Sequence, residues 1–264
     1  MENLFDLTGK VAVVIGGGGG IGRAIAKGFA YQGADVVISG RTMATLEEGE
    51  QYIFAETGKH VTCITADSTS TESVTALKDA VLAKFGTVDI LVNSQGFNKK
   101  FSALEALDHL DEWDAMYETN VKSMLLCCTV FGQIMTEKRY GKIINVSSIR
   151  GAHALNGSGN IGYGSTKGAV DMLTKYLAGE WGRYNVTVNA IGPIVTWTPM
   201  MIKLGPPPEI IEKIKGEFAA KVPMGRGAEA DDNIGVSIFL ASDASSYVTG
   251  QIIYPDGGLH CIGG

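Results

Sequence analysis

The sequence has few cysteines, and they lack the spacing of disulfide or metal-binding motifs. Its 264 residues include 4 cysteines, of which Cys127 and Cys128 are adjacent and none belongs to a C-x-x-C pair. Sparse, unpaired cysteines are typical of reducing compartments, which indicates a cytoplasmic protein without a disulfide framework. The histidines have no metal-ligand spacing with one another or with cysteine, so no metal site is expected.

Segments for export, membrane insertion and nucleic-acid binding are also missing. Met1 is not followed by a basic and apolar leader, and no predominantly apolar run reaches the roughly 18 residues of a membrane span. The formal net charge is −6 and like charges do not form long blocks, so a basic nucleic-acid surface is not expected. No serine lies in a Gly-x-Ser-x-Gly frame, which excludes the nucleophile elbow of a hydrolase.

Glycine, in contrast, is abundant. The chain has 35 glycines, whereas an average composition would give roughly 18. They follow no Gly-X-Y period, which excludes collagen. The surplus indicates tight turns or close approach of the backbone to a ligand.

Short runs of β-branched residues alternate with segments of helical periodicity along the chain. The predicted strands are Val11–Ile15, Val36–Ser39, Val61–Thr65, Val88–Val92, Lys142–Val146, Val186–Ile191 and Gln251–Tyr254. They are apolar almost throughout, which is typical of strands buried on both faces. Helices are predicted between them, the longest over about 163–183. The alternation predicts an α/β fold with one parallel sheet and helices on both faces.

A glycine-rich loop follows the first predicted strand. Gly16–Gly20 precede Ile21 and Gly22, which open the first helix. Such a loop lets backbone N–H groups approach a pyrophosphate at the positive end of the helix. At the end of the second strand, where an acid would bind a ribose 2′-hydroxyl, the sequence has Gly40 and Arg41. An arginine there favours a 2′-phosphate, and so NADP, over NAD.

A tyrosine and a lysine at helical spacing provide a candidate acid–base pair. Tyr163 and Lys167 are four positions apart, so both side chains lie on one face of a helix. A nearby ammonium favours the phenolate and would lower the pKa of Tyr163 into a range useful for proton transfer. Ser148 closes the fifth predicted strand, where a hydroxyl can bind the reacting oxygen, and Asn120 is predicted at the start of a helix.

Together these motifs resemble the short-chain dehydrogenase/reductase family over nearly the whole chain, from Leu7 to Gly258. The matching positions are Gly16, Gly20, Gly22, Asp67, Asn93-Ser94-Gln95-Gly96, Asn120, Ser148, Tyr163, Lys167, Val188-Asn189-Ala190, Pro193, Thr198, Thr249-Gly250-Gln251 and Asp256-Gly257-Gly258. The resemblance implies a Rossmann-type three-layer sandwich with a seven-stranded parallel sheet, formed by residues 1–264 as a single domain. It also implies a homotetramer.

The resemblance implies a role for each of these residues. Tyr163 is the general acid/base, Lys167 lowers its pKa and holds the nicotinamide ribose, and Ser148 orients the substrate carbonyl. Asn120 positions a water for proton relay. Contacts with NADP, or with NAD as the alternative, are implied for Gly16, Gly18, Gly19, Gly20, Ile21, Gly22, Arg41, Asp67, Asn93, Gly96, Tyr163, Lys167, Pro193, Ile194 and Thr198.

The chain departs from the family pattern at several positions. Ile15 stands where a threonine is usual, Ser94-Gln95 stand where Asn-Ala is usual, and Ile194 replaces a glycine. The basic residue that is common in NADP enzymes before the second glycine is Gly19 here. The segment between Ser148 and Tyr163 is two residues longer than expected, and it lies beside the substrate.

The substrate is less well defined by the sequence. Lys99 and Lys100 resemble basic residues of gluconate-oxidising members and could bind a sugar acid, although both could equally be solvated surface lysines. Arg150 and His153 follow Ser148 and are further candidates, together with Trp197 in a substrate lid predicted at about 196–222. A hydroxysteroid or another bulky ketone is the alternative substrate, and a non-catalytic NADPH-binding regulator is the alternative function.

Overall fold

A parallel sheet runs through the centre of the molecule. The computed structural model describes residues 3–154, 159–198 and 207–262. The strands are β1 (Val11–Ile15), β2 (Asp35–Gly40), β3 (Thr62–Thr65), β4 (Ile90–Asn93), β5 (Gly141–Val146), β6 (Val186–Ile191), β7 (Thr196–Trp197), β8 (Ala228–Glu229) and β9 (Ile252–Ile253). Seven of them form the sheet, in the order β3-β2-β1-β4-β5-β6-β9, and β7 pairs with β8 separately. All seven predicted strands are present, with ends shifted by no more than two residues.

Helices connect the strands across both faces of the sheet. They are α1 (Gly20–Tyr31), α2 (Met43–Thr57), α3 (Thr71–Phe85), α4 (Leu110–Tyr117), α5 (Ser123–Lys138), α6 (Ile161–Trp181), α7 (Pro208–Ala219) and α8 (Ile234–Ala241). Helix α3 shows how local sequence sets the ends. It begins where the Ser70 hydroxyl accepts a hydrogen bond from the Ser73 N–H, and it ends at Gly86 with φ 75°.

Apolar side chains of the central strands alternate between two cores. In β1, Val11, Val13 and Ile15 face one core, while Ala12 and Val14 face the other. Helices α3, α5 and α6 complete the first core, and α1, α2 and α8 complete the second. The three layers confirm the predicted Rossmann-type α/β sandwich. Burial on both faces explains why the strands are apolar along their whole length.

A third, smaller core lies beyond the carboxyl ends of the central strands. Its buried members are Ile149, Ile194, Val222, Ala228 and Leu259, with Phe218 and Tyr254 packed against them. This core joins helix α7 and the C-terminal segment to the turn that follows β5. It therefore forms a wall beside the edge of the sheet where ligands bind in open α/β folds. Within the described residues, no helix is long and apolar enough to cross a membrane.

Candidate active site

The glycine loop packs tightly against the protein on one side. A Cβ on Gly17 would lie 2.8 Å from the Ile38 side chain, and a Cβ on Gly22 would lie 2.3 Å from the Gly16 carbonyl oxygen. Gly16 itself adopts φ 75°, which side chains disfavour. These glycines are therefore required for the turn and for the close contact between the loop and α1.

The other side of the loop is open. Gly19 caps α1, and no heavy atom of the described residues lies within 4 Å of its potential Cβ. The first turn of α1 has no acidic residue and no side-chain cap, so its N–H groups and the positive end of the helix dipole can receive an anion. The methyl group of Thr198 lies 3.4 Å from the Cβ position of Gly20. The loop thus fits a dinucleotide pyrophosphate.

The end of β2 provides room and charge for an adenosine ribose. A Cβ on Gly40 would meet only a leucine methyl, 3.6 Å away. The neighbouring Ser39 hydroxyl is buried and has no hydrogen-bond partner within the described residues. Arg41 is exposed. The pKa of Asp67 is lowered mainly by hydrogen bonds from Thr69, and the Arg41 charge adds to this effect. An open position and a cation fit a phosphorylated ribose.

Lys167 is enclosed at the end of β5. Its Nζ donates a hydrogen bond to the Val146 carbonyl oxygen at 2.8 Å, and the residue is only 3% exposed. Burial lowers the pKa of Lys167 to about 8, and the charge of Asp171 acts in the opposite direction. Gly96 packs closely beside it, because a Cβ there would lie 3.6 Å from Nζ and 3.1 Å from Asn120 Oδ1.

Tyr163 lies one helical turn before Lys167 and close to Ser148. The Lys167 Nζ is 5.5 Å from the centroid of the Tyr163 ring. Burial raises the pKa of Tyr163, whereas a hydrogen bond with Ser148 and the charge of Arg150 lower it. Ser148 Oγ also accepts a hydrogen bond from the Arg150 backbone N–H at 3.2 Å. The cation that lowers the pKa of the phenol in this structure is Arg150, so the expected effect of Lys167 stays a prediction.

Asn120 lies in a π-helical turn, Glu118–Lys122, between α4 and α5. This differs from the expected helix start. Its Oδ1 accepts a hydrogen bond from the Phe97 N–H at 2.9 Å, and its Nδ2 donates to the Phe97 carbonyl at 3.0 Å and to Thr166 Oγ1 at 3.1 Å. The buried amide therefore fixes the loop after β4 against α6, beside Gly96 and Lys167. π-Turns of this kind are frequent at functional sites.

Three of the predicted cofactor-binding residues also make contacts inside the protein, and their contacts with the cofactor stay a prediction. Asn93 Nδ2 donates to Asn145 Oδ1 at 2.9 Å and to Cys128 Sγ at 3.2 Å, which places its side chain inside the fold. The Pro193 carbonyl accepts hydrogen bonds from the Ile149 N–H at 3.1 Å and from Ser148 Oγ at 3.4 Å. The side chain of Ile194 belongs to the third core.

The predicted substrate residues do not all converge on Tyr163. Lys99 and Lys100 are exposed, and the charge of Lys99 acts on the carboxylate of Glu112. Trp197 lines a cavity of about 540 Å³ together with Lys215 and other residues, none of which is a predicted catalytic residue. Of the five candidates, Arg150 is the one whose charge reaches Tyr163.

His153 is turned towards the C-terminal segment. Its Nε2 lies 2.6 Å from Nδ1 of His260, and the His260 ring stacks on Tyr254 at 4.4 Å between centroids. The His153 side chain therefore packs against the C-terminal segment, at the wall that the third core forms beside the site. Residues 155–158, which belong to the longer segment before Tyr163, lie outside the described residues.

Asp171 was missed by the sequence reasoning. It lies one turn beyond Lys167 on the buried face of α6, and burial raises its pKa, while a hydrogen bond from Ser147 and the charges of Lys175 and Lys167 lower it. Its carboxyl is the charge that keeps the pKa of Lys167 from falling further. The i, i+4 spacing from Lys167 was a signal that could have identified it.

The comparisons with known proteins agree with this geometry. The profile of a family described as enoyl-(acyl carrier protein) reductase matches residues 16–260. A 3-oxoacyl-[acyl-carrier-protein] reductase from Chlamydia trachomatis is 35% identical over 253 residues, which are 96% of this chain and 98% of the relative. A gluconate 5-dehydrogenase from Gluconobacter oxydans is 34% identical over 257 residues, which are 97% of each chain.

A solved structure supports the same assignment. The crystal structure of a gluconate 5-dehydrogenase from Burkholderia cenocepacia in complex with NADP and tartrate is 31% identical, with a TM-score of 0.87, and the match covers 98% of each chain. The family profile and these relatives each span nearly the whole length of the protein. The chain therefore belongs to the short-chain dehydrogenase/reductase family, the NAD(P)-dependent oxidoreductases that interconvert CH–OH and keto groups.

Proposed function

We propose that this protein is an NADP(H)-dependent oxidoreductase that interconverts a secondary alcohol and a ketone on a small polyhydroxylated substrate such as a sugar acid. One observation carries the proposal. Ser148 and the half-buried Tyr163 share a hydrogen bond, and Lys167 lies one helical turn away. A proton donor, a hydroxyl and a buried ammonium at the carboxyl end of a parallel sheet are suited to protonating or deprotonating one oxygen atom.

The residues of the chain provide the proton chemistry. During ketone reduction, the Tyr163 hydroxyl transfers its proton to the carbonyl oxygen, while the Ser148 hydroxyl donates a hydrogen bond to the same oxygen. In the reverse direction the phenolate accepts the proton of the alcohol. NADP(H), when bound, supplies or accepts the hydride. Lys167 and Asn120 position the groups around Tyr163 and would relay a proton from solvent to Tyr163 after ketone reduction, and from Tyr163 to solvent after alcohol oxidation.

Residues at the glycine loop and at the end of β2 would hold the cofactor. Gly19 and Gly20 leave the first turn of α1 open to a pyrophosphate. Gly40 removes the side chain that would oppose a 2′-phosphate, and Arg41 supplies its counter-charge. We expect Arg41→Ala to weaken the binding of 2′,5′-ADP much more than that of 5′-ADP, as measured by isothermal titration. Equal weakening of both ligands would contradict this use of Arg41.

The Tyr163→Phe variant tests the reaction. Since the variant lacks the proton donor, we expect kcat to fall by about two to four orders of magnitude. The dissociation constant of NADPH, measured by its fluorescence, should stay within a factor of about three. Tyr247→Phe is the matched control, because Tyr247 is fully exposed. Undiminished turnover in Tyr163→Phe would refute the mechanism.

We further propose a single domain with a lid at residues 196–222 and a homotetrameric assembly. Of the lid, residues 199–206 lie outside the described residues. The described part contains α7, whose Phe218 packs on the third core near Ile149. Exposed Leu125 on α5 and Met172 and Tyr176 on α6 support self-association. Light scattering of the wild type and of Met172→Asp tests the assembly, which should dissociate in the variant.

A further inference from the structure

Arg150 is a partly buried cation without a counter-charge in the described residues. Its Nη1 is shielded from solvent and has no hydrogen-bond partner there. Burial lowers the pKa of Arg150, and the opposing influence comes from Tyr163 rather than from a carboxylate. A guanidinium stays charged in proteins and presents several donors in a fixed fork. A buried, charged N–H donor without an acceptor lacks the strong hydrogen bond that an anionic ligand could provide.

The position of Arg150 places this unpaired donor beside the reacting groups. It lies in the short helical turn Ile149–Gly151, which is capped by the Ser148 hydroxyl. The Arg150 backbone is held by the same Ser148 Oγ that shares a hydrogen bond with Tyr163. The charge of Arg150 is therefore fixed relative to the proton donor by one short turn of backbone.

The carboxylate that lies beside this turn does not act on Arg150. Asp171, on the neighbouring helix α6, interacts with Ser147, Lys175 and Lys167, its Oδ1 has no hydrogen-bond partner within the described residues, and the charge that acts on Arg150 is that of Tyr163. In the loop after β4, the charge of Lys99 acts on Glu112, so this exposed lysine is partly balanced by a protein carboxylate. Within the described residues, Arg150 is the partly buried cation near Tyr163 on which no carboxylate acts.

We propose that Arg150 binds the carboxylate of the substrate and selects acids over neutral alcohols. This inference rests on the proposed function, because it assigns the group that recognises the substrate of the same reaction. A guanidinium matches a carboxylate through two parallel N–H···O bonds, and the enclosed Nη1 supplies one of these donors. The assignment moves the anion-binding role from Lys99 and Lys100 to Arg150.

Matched pairs of aldonic acids and alditols test the proposal. Gluconate and glucitol, galactonate and galactitol, and threonate and threitol differ within each pair by a carboxylate against a hydroxymethyl group. The measured quantity is the ratio of kcat/KM for acid and alditol. The effect of Arg150 on the pKa of Tyr163 in the free enzyme is common to both substrates and cancels in this ratio. For Arg150→Gln we expect the ratio to fall about 10- to 100-fold, as for the loss of a charged hydrogen bond. Arg150→Lys should retain part of it.

Two further variants make the comparison specific. Arg183→Gln removes an arginine that follows the far end of α6, about 30 Å from Tyr163 along a helix of this length, and should leave the ratio unchanged. Lys99→Gln combined with Lys100→Gln tests the rival anion site. A larger fall in the ratio for the double-lysine variant than for Arg150→Gln would overturn the proposal.

A binding measurement separates recognition from folding. With NADP⁺ present, gluconate should raise the melting temperature of the wild type more than glucitol does, and this difference should vanish in Arg150→Gln. The melting temperature without ligand and the dissociation constant of NADPH report whether the variant is intact. If the wild type turns over alditols and shows no preference for acids, the proposed role of Arg150 is refuted, whereas the proposed oxidoreductase activity is not. Failure of both substrate classes in the wild type would instead refute the proposed substrate type.

Discussion

The buried ammonium of Lys167 predicts a pH dependence of stability that can be isolated by one substitution. Burial lowers the pKa of Lys167 from the usual 10.5 to about 8 in the folded protein. Below pH 8 the lysine is protonated in both the folded and the unfolded state, so folding carries the full cost of burying the charge. As the pH rises above 8, the folded protein loses the proton first, and this cost is removed.

The expected magnitude follows from the two pKa values. Between about pH 8 and pH 10.5 the unfolded state binds more protons than the folded state, so the free energy of unfolding rises with pH. From pH 7 to pH 9.5 this linkage amounts to about 2 kcal/mol. Replacement of Lys167 by Met removes the titrating group, and the rise should disappear. The lost hydrogen bond to Val146 shifts the stability of the variant by an amount that does not depend on pH.

Urea denaturation at half-unit pH intervals measures this effect. The quantity of interest is the difference in unfolding free energy between the wild type and Lys167→Met, because the titration of cysteines and other groups cancels in the difference. This difference should increase by about 2 kcal/mol in favour of the wild type between pH 7 and pH 9.5. Lys59→Met, at an exposed position, is the control and should give a flat difference. Parallel profiles for the wild type and Lys167→Met would refute the reasoning.

Two further predictions concern glycines in close contact with the rest of the chain. Gly22→Ala places a methyl group 2.3 Å from the Gly16 carbonyl and should cost about 1–3 kcal/mol of stability, whereas Gly19→Ala, which faces open space, should cost less than about 0.5 kcal/mol in the same denaturation assay. Gly132→Ala would bring its methyl group to 2.6 Å from the Trp181 ring and should lower the melting temperature and shift the tryptophan fluorescence. A wild-type spectrum for that variant would show that the contact relaxes freely.

Most of the fold could be predicted from the sequence because the strands of a parallel sheet are apolar on both faces. Val186–Ile191 was predicted with the bounds that the structure shows, since all six residues are buried. The edge strand β9 has two residues and is shorter than predicted, because it pairs on one side alone and its neighbour β6 ends at Ile191, opposite Ile253. Helix α6 begins two residues before the predicted start, within the usual uncertainty of helix ends.

The candidate site was predictable where its chemistry depends on residue type and spacing, as for Tyr163 and Lys167. It was not predictable where the outcome depends on tertiary contacts. The π-turn at Asn120 is set by hydrogen bonds to Phe97 and Thr166, which come from distant segments. The inward orientation of Asn93 depends in the same way on its partners in β5 and α5. Neither arrangement has a local sequence signature.

Arg150 acts on the pKa of Tyr163 and, in our proposal, also binds the substrate carboxylate. The two roles together predict that the pH dependence of the reaction differs between acids and alditols. In the absence of substrate, the Arg150 charge lowers the pKa of Tyr163 by favouring the phenolate. A carboxylate bound to the guanidinium neutralises this charge, so the pKa of Tyr163 should be higher with an acid than with an alditol. Alcohol oxidation needs the phenolate as the base, and the rise of kcat with pH should therefore occur at higher pH for gluconate than for glucitol. In Arg150→Gln the two profiles should coincide, because neither substrate then changes the charge beside Tyr163. Profiles that coincide already in the wild type would show that the carboxylate binds away from Arg150.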